Sequence, residues 1–149
     1  MKAGPFNLQN HVLCLLRSYH HWLGKDLIQP GKDPVAALDA ASFPVLSHGT
    51  EVDPVLNYGN QAALQLWEMD WKEFTRTPSR LTAEPPIRED RARLLAEVAE
   101  KGFIENYSGI RISKSGRRFR VSGGTVWNLL DDAGLPAGQA ATFDSWVEI

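Results

Sequence analysis

Histidine and cysteine are among the side chains most often used in metal binding and nucleophilic catalysis, and this sequence has four histidines and one cysteine. Three histidines fall in one predicted helix, where side chains three or four residues apart face each other, and no two of them have that spacing. Cys14, in the same helix, is predicted to be a small buried hydrophobe. His48 precedes Glu51 and Asp53, so a histidine–carboxylate pair is the one arrangement left open. We expect no metal site.

Basic and acidic residues are separated in the last third of the sequence, where the basic residues end at Arg120 and only acidic ones follow. If the last two strands pair, a plausible register sets Glu148 beside Arg118 and Trp146 beside Arg120, giving an ion pair and a cation–π contact. The alternative is that this face receives an anionic partner or a second copy of the chain. The residues that would do so are Arg111, Arg118, Arg120 and Trp146.

A β-hairpin is predicted around a turn at Ser115-Gly116. Centring the strands on these two residues places four apolar side chains on the inner face, which the helices cover, and turns Arg111 and Arg120 to the outer face. The four inward residues in this register are Ile110, Ile112, Phe119 and Val121.

Continuing this register brings small and polar residues to the centre of the inner face: Asn106, Ser108, Gly123 and Thr125. Together with Trp67 and Phe143 they are candidates to line a ligand pocket, because small-molecule sites are apolar with a few placed polar groups. Two structural alternatives remain open. A large side chain from a helix, or Phe143 of the last strand, fills the space, or the double glycine marks a bulge that reverses the register beyond it.

Two long helices are predicted from apolar residues that recur every three or four positions. The first lies in the periodic stretch 7–28, where Asn7 or Asn10 can cap its start and Gly24 marks its end, and the second spans 86–101 and begins at Pro86. In the second helix Arg91 falls on the same side as the apolar residues.

Short apolar runs at 43–48 and 54–58 predict two strands, and Asn60 is a suitable cap for the helix that follows. Three further strands are predicted after the second long helix. This order predicts an antiparallel α+β domain over 43–149, with helices on one face of a five-stranded sheet. Residues 1–42 form an N-terminal helix and a connector.

Composition narrows the classes of function. The 149 residues are 43% hydrophobic and 23% charged, with a formal net charge of −2, so no bulk electrostatic attraction to nucleic acid is expected. No apolar run has the ~20 residues of a membrane span, and no signal-peptide pattern opens the chain. The single cysteine excludes an internal disulfide, and we expect a cytoplasmic protein.

The order of elements resembles the PAS fold, and a series of motifs resembles the MEKHLA domain family. The motifs are YGNQAALQLWEMDWKEF, PSRLTAEP, GFIENYSGIRIS, GRRFRV, VWNLLDDAG and GQAATF, which together cover roughly residues 43–149. This family is a PAS-like domain found alone in bacteria and at the C-terminus of plant class III homeodomain–leucine-zipper proteins. The resemblance implies a sheet of order 2-1-5-4-3 and a sensory or regulatory role, and it assigns no catalytic residue.

The PAS resemblance also implies which cofactor signatures to look for. Flavin-linked light sensors use a cysteine in a helix facing the sheet, whereas Cys14 lies far upstream. Haem-binding sensors commonly use a histidine in the long helix before the third strand, and 86–101 contains none. The cofactor is therefore left unassigned, with His48 or a histidine of the first helix as the remaining haem ligand.

Three hypotheses of function follow. The first is a non-catalytic sensory module of signal transduction that binds a small ligand or a protein partner. The second is a dimerisation domain without a ligand, formed through an apolar face of the first helix that carries Tyr19, Trp22 and Leu23. The third is a small enzyme similar to the cone-shaped scytalone dehydratase fold, in which His48 would belong to a catalytic histidine–aspartate pair.

Overall fold

An antiparallel sheet with helices on both of its faces organises the chain. The structure is a computed structural model that describes residues 6–29 and 31–149, apart from the side chains of 85–87. The elements in chain order are α1 (Leu8–Leu23), α2 (Pro34–Asp39), β1 (Val45–His48), β2 (Leu56–Gly59), α3 (Gln61–Trp67), α4 (Trp71–Phe74), a short 3-10 helix (Ser79–Thr82), α5 (Pro85–Lys101), β3 (Phe103–Ile112), β4 (Arg118–Leu130), β5 (Pro136–Thr142) and β6 (Ser145–Glu148).

The strands follow the order β2-β1-β5-β4-β3, with every neighbouring pair antiparallel, which confirms the predicted fold class and order. The last predicted strand is divided into two. β5 pairs with the second half of β4 and β6 pairs with its first half, with Phe143 and Asp144 between them. Within the described residues, no helix has the length and apolar character to cross a membrane.

α1 begins and ends where its capping residues predict. The Asn7 Oδ1 atom accepts a hydrogen bond from the Asn10 backbone nitrogen at 3.0 Å, and Gly24 has the left-handed backbone, with φ at 71°, that commonly ends a helix. The stretch predicted as a connector contains α2, which the Asp33 side chain caps. This short helix was missed because six residues carry too little periodicity to detect.

The two faces of the sheet carry different helices. α3, α4, the 3-10 helix and α5 cover the inner face, as predicted for the helices of the main domain. α1 packs on the opposite, outer face, where Tyr19 meets Trp127 edge to face at 5.0 Å and the Trp22 Nε1 atom donates to the Asn128 carbonyl at 2.9 Å. Leu23 packs against the same outer cluster. The apolar side of α1 is therefore occupied within its own chain.

Asn60 joins α2, β1 and α3 from a position with no solvent exposure. Its Oδ1 accepts hydrogen bonds from the backbone nitrogens of Val45 at 3.0 Å and Ala63 at 3.1 Å. Its Nδ2 donates to the carbonyls of Leu38 at 3.0 Å and Phe43 at 2.9 Å. The predicted helix cap is confirmed, and the same side chain also satisfies backbone groups of two other elements.

The predicted pairing of the β3–β4 hairpin is wrong by one residue. The Ser113 nitrogen donates to the Arg117 carbonyl at 2.9 Å, so the turn has three residues between them in place of two, and Gly116 takes a φ of 91°. One extra turn residue shifts every pair, which sets Ile112 opposite Arg118 and Arg111 opposite Phe119. Arg111 therefore faces inward.

Two compensating bulges follow along the same pair of strands. β4 has an extra residue near Gly123, whose φ is 63°, and β3 has an extra residue at Asn106, whose φ is 57°. The bulge foreseen at the double glycine is confirmed. Because it reverses the faces of β4, Val121 points inward before it, whereas Trp127 points outward to α1 after it.

The bulges also relocate the residues proposed for the sheet centre. Asn106, Ser108 and Gly123 are exposed at the irregular part of the hairpin. Thr125 is buried, opposite Thr142, and by alternation with Trp127 it lies on the outer side. The inner-face positions assigned to these four residues are wrong, because they hold only for a two-residue turn and a register without bulges.

The predicted contacts at the end of the sheet are wrong, and the ion pairs there have other partners. The Glu148 carboxylate pairs with Arg117 at 2.9 Å, whereas Arg118 pairs with Glu84 at 2.6 Å. Val147, in place of Trp146, lies opposite Arg120. Trp146 lies opposite Val121 and meets Phe143 edge to face at 5.9 Å.

We predict that Gly123→Ala lowers the free energy of unfolding by about 1–2 kcal/mol, because an L-residue with a side chain is strained at this positive φ. Ser122→Ala, at the neighbouring position, should change it by less than about 0.5 kcal/mol. Urea unfolding of both variants measures the difference. Equal stability of the two variants would show that the bulge at Gly123 is absent.

Candidate functional site

A cavity of about 60 Å³ lies between the inner face of the sheet and the helices. Most of its wall is apolar and comes from both layers. The apolar side chains of the wall include Leu46, Trp67, Leu95, Val121, Val126 and Phe143. The volume is enough for a few water molecules or a molecule of a few heavy atoms, and well below the roughly 300–1,000 Å³ of drug-sized sites.

Two arginines on facing elements form the polar part of the wall. Arg111 on β3 is buried, with 8% of its surface exposed, and Arg91 on α5 is half-buried. The Arg111 Nη1 donates to the Ile110 carbonyl at 2.7 Å, and its Nη2 donates to the Tyr107 hydroxyl. The Arg91 Nη2 donates to the Ser79 hydroxyl in the 3-10 helix. These contacts fix both guanidinium groups at the cavity.

Neither guanidinium forms an ion pair within the described part of the chain. Burial and the neighbouring charge of Arg111 lower the pKa of Arg91 to about 10, and burial lowers the pKa of Arg111. Both groups remain protonated at neutral pH, because a guanidinium is not deprotonated in proteins. Two positive charges withdrawn from water without a carboxylate reduce the stability of the fold, because hydrogen bonds to neutral groups offset only part of their lost hydration.

Two further residues at the cavity each carry a buried polar atom that lacks a partner. His48 and Trp67 both line it, and neither the His48 Nε2 nor the Trp67 Nε1 has a hydrogen-bond partner among the described residues. The other ring nitrogen of His48 lies 3.1 Å from the Gly49 carbonyl. Burial, and then the charge of Arg91, lower the pKa of His48 to about 4. His48 is therefore a neutral imidazole at physiological pH.

The structure brings together only part of the predicted site. Trp67 and Phe143 line the cavity as expected, whereas the four hairpin residues Asn106, Ser108, Gly123 and Thr125 do not. Arg111 was expected on the outer face with Arg118 and Arg120 and instead lines the cavity, while the other two remain exposed. Arg91 was missed as a site residue, although its place on the apolar side of a predicted helix was a usable signal.

The cavity does not fit the cofactors considered for PAS-like domains. Flavin and haem are both far larger than about 60 Å³ allows. Cys14 lies on α1, on the other face of the sheet, where its Sγ is 3.2 Å from the Leu130 carbonyl. The residues that the structure describes also contain no group of three or more side chains that could hold a metal ion.

Comparison with known protein families finds one family that matches this chain. A model of the MEKHLA domain matches residues 9–148. No curated protein matches the chain.

Solved structures similar to the chain are PAS-like domains with low sequence identity. A PAS domain of a protein from Colwellia psychrerythraea superposes with a TM-score of 0.61 at 12% identity, covering 76% of this chain and 92% of that one. A light-oxygen-voltage domain studied with a flavin analogue gives 0.61 at 17% identity, covering 77% and 83%. A PAS domain of a LuxR-family transcriptional regulator from Burkholderia thailandensis, in complex with ethanol, gives 0.57 at 17% identity, covering 75% and 96%. The PAS-like fold is thereby established.

We predict that Arg111→Met raises the free energy of unfolding of the ligand-free chain by about 1–2 kcal/mol, because it replaces an uncompensated buried charge by an apolar side chain of similar length. Arg118→Met in the same hairpin removes an exposed ion pair and should change it by less than about 1 kcal/mol. Denaturant unfolding after exhaustive dialysis checks both values. A marked loss of stability in Arg111→Met would mean that Arg111 is an ordinary structural residue.

We also predict that His48 contributes to acid sensitivity. The pKa of His48 in the folded chain is about 4, below its usual value of 6.5. The contribution of neutral His48 to the free energy of unfolding is therefore fully present above pH 6.5 and is lost as the pH falls toward 4. Between pH 7 and pH 5 the loss is about 2 kcal/mol. Urea unfolding at both pH values should show a smaller decrease for His48→Gln than for the unmodified chain. An identical decrease in both proteins would contradict the lowered pKa of His48.

Proposed function

We propose that this chain, which belongs to the MEKHLA domain family and has a PAS-like fold, is a non-catalytic regulatory module that senses a small ligand bound in the cavity. The observation that carries the proposal is the set of polar groups left without partners around that cavity. Natural proteins rarely bury such groups unless a ligand or water satisfies them. The PAS domain from Burkholderia thailandensis holds ethanol, a molecule of the size that this cavity would admit.

The connection between the cavity and α1 supports a sensory role. β4 contributes Val121 and Val126 to the cavity wall, and the same strand presents Trp127 and Leu129 to α1 on the other face. α1 is also fixed to the end of β4, because the Leu130 nitrogen donates to the Ser18 hydroxyl at 2.9 Å. A ligand that moves β4 would therefore change the position of α1 on the sheet. This is the route by which we expect binding to reach a partner.

The chemistry around His48 supports binding without catalysis. The residues that line the cavity include no aspartate, glutamate, lysine or cysteine. The carboxylate nearest in sequence, Glu51, accepts a hydrogen bond from the Val55 nitrogen at 3.2 Å, outside the cavity. A neutral His48 without a carboxylate lacks the partner that orients a catalytic base. We therefore favour a sensor over the cone-fold enzyme.

Association with another protein is the second candidate function. Val147 is 66% exposed and Ile149 52% exposed at the end of the sheet, beside the exposed Arg118 and Arg120. Apolar and arginine side chains of this kind are typical of interfaces. A homodimer through Tyr19, Trp22 and Leu23 remains a prediction, although these residues already pack on their own sheet. We place either role in the cytoplasm, where a free cysteine such as Cys14 stays reduced.

Native mass spectrometry of the full chain purified from its own host tests the proposal. We predict a chain that carries a small molecule, and we predict that Ala141→Leu loses it, because Ala141 lines the cavity and a larger side chain would fill it. Ala99→Leu, on the exposed side of α5, should retain the molecule. The same spectra report monomer or dimer.

Two results would reject ligand sensing in the cavity. One is a chain free of any small molecule. The other is a bound molecule that Ala141→Leu retains while the variant stays folded.

A further inference from the structure

We propose that the ligand is a small monocarboxylate whose carboxylate is held between Arg91 and Arg111 and whose hydrocarbon part contacts the apolar wall. This assignment rests on the proposed ligand-binding function and adds the chemical class of the ligand. The two arginines are referred to below as the arginine pair. They come from different layers of the fold, α5 and β3, and both line the cavity.

The charge of the arginine pair favours an anion. Arg91 and Arg111 have no carboxylate partner in the described part of the chain. The side chains outside that part, those of 1–5, 30 and 85–87, include no aspartate or glutamate. Their charges repel each other, and this repulsion is one cause of the lowered pKa of Arg91. A single negative group between them would relieve both the repulsion and the lost hydration. An anionic ligand is therefore better matched than a neutral one.

The donors of the arginine pair and of Trp67 favour an acceptor, whereas the neutral His48, whose Nδ1 donates to the Gly49 carbonyl, offers its Nε2 as an acceptor. A guanidinium has five N–H donors, and the contacts to Ser79, Ile110 and Tyr107 use only some of those on the arginine pair. The Trp67 Nε1, which is also only a donor, has no partner among the described residues. A carboxylate is acceptor-only and planar, and it matches the geometry of an arginine side chain with two parallel hydrogen bonds.

The size and the wall of the cavity restrict the rest of the molecule. A volume of about 60 Å³ excludes nucleotides, sugars and long acyl chains. The wall beside the arginine pair is formed by residues such as Leu46, Val126 and Phe143, which offer contacts to hydrocarbon and no hydrogen bonds from their side chains. A strongly hydrated inorganic anion gains nothing from that wall, whereas a short hydrocarbon tail is removed from water by it.

Titration of the full chain, refolded from urea to release any bound molecule, tests the assignment with defined probes. Sodium propionate, propionamide, sodium phosphate and sodium chloride are added at matched ionic strength, and binding is followed by calorimetry and by the fluorescence of Trp67. The Trp67→Phe variant shows whether the change in fluorescence comes from Trp67. We expect propionate to bind at least about tenfold more tightly than propionamide, because only the anion makes charge-assisted hydrogen bonds to the arginine pair.

Variants separate the arginine pair from general surface charge. Arg91→Gln and Arg111→Gln should each weaken propionate binding about tenfold or more. Arg93→Gln, also on α5 but exposed and paired with Glu89, should leave it unchanged. Urea unfolding confirms that each variant is folded, so that a loss of binding is not a loss of structure.

The outcomes distinguish this assignment from the proposed function. Equal binding of propionamide and propionate, tighter binding of phosphate, or full binding by folded Arg91→Gln and Arg111→Gln would overturn the carboxylate and leave ligand sensing intact. If no probe binds and native mass spectrometry finds no bound molecule, the proposed function itself fails. Binding of propionate that Ala141→Leu removes and the arginine variants weaken supports both.

Discussion

A positive charge without a counter-charge lies in the core of this domain, and the register of one hairpin is what places it there. The three-residue turn before Arg117 sets Arg111 opposite Phe119, on the face that the helices cover. A turn shorter by one residue would have turned the same guanidinium to solvent. The polar character of the cavity therefore depends on the turn, because Arg111 is buried whereas Arg91 is only half-buried.

The second constraint is the pair of bulges that follows. Without the extra residue near Gly123, Val121 and Trp127 would point to the same side of β4, and Trp127 would face the helices of the inner face in place of α1. The bulge sets which side chains of β4 line the cavity and which of them pack with α1. A sheet that is lined on both faces in this way can relate an event in the cavity to the position of α1.

Much of the fold could be predicted from the sequence, because its signals are local. Asn7, Gly24 and Asn60 mark helix ends through side-chain and backbone chemistry that needs no knowledge of the rest of the chain. The order of elements and the motif series then gave the PAS-like family and sheet order. The pairing of β3 with β4 could not be predicted in the same way. Turns of two and three residues both suit the segment around Gly116, and the choice between them reverses every side chain beyond it.

The site was only partly predictable for the same reason. Trp67 and Phe143 were identified because large apolar residues near a sheet centre remain there in either register. Asn106 was assigned to the wrong position because a bulge was not counted. Arg91 was visible as a charge on the apolar side of a helix, and a burial that contradicts a residue's usual preference is a sign of function. Its partner Arg111 could be found only with the register known.

The central claim is that Arg91 and Arg111 face a ligand-binding cavity, and nitrogen NMR of arginine side chains tests it most directly. In the full chain labelled with nitrogen-15, the side-chain N–H signals of these two residues can be identified by their loss in the corresponding glutamine variants. The account predicts that propionate shifts and sharpens these two signals, because hydrogen bonds to a carboxylate slow their exchange with water, while the signal of exposed Arg93 stays in place. Movement of exposed arginine signals alone, or no movement at all, would contradict it.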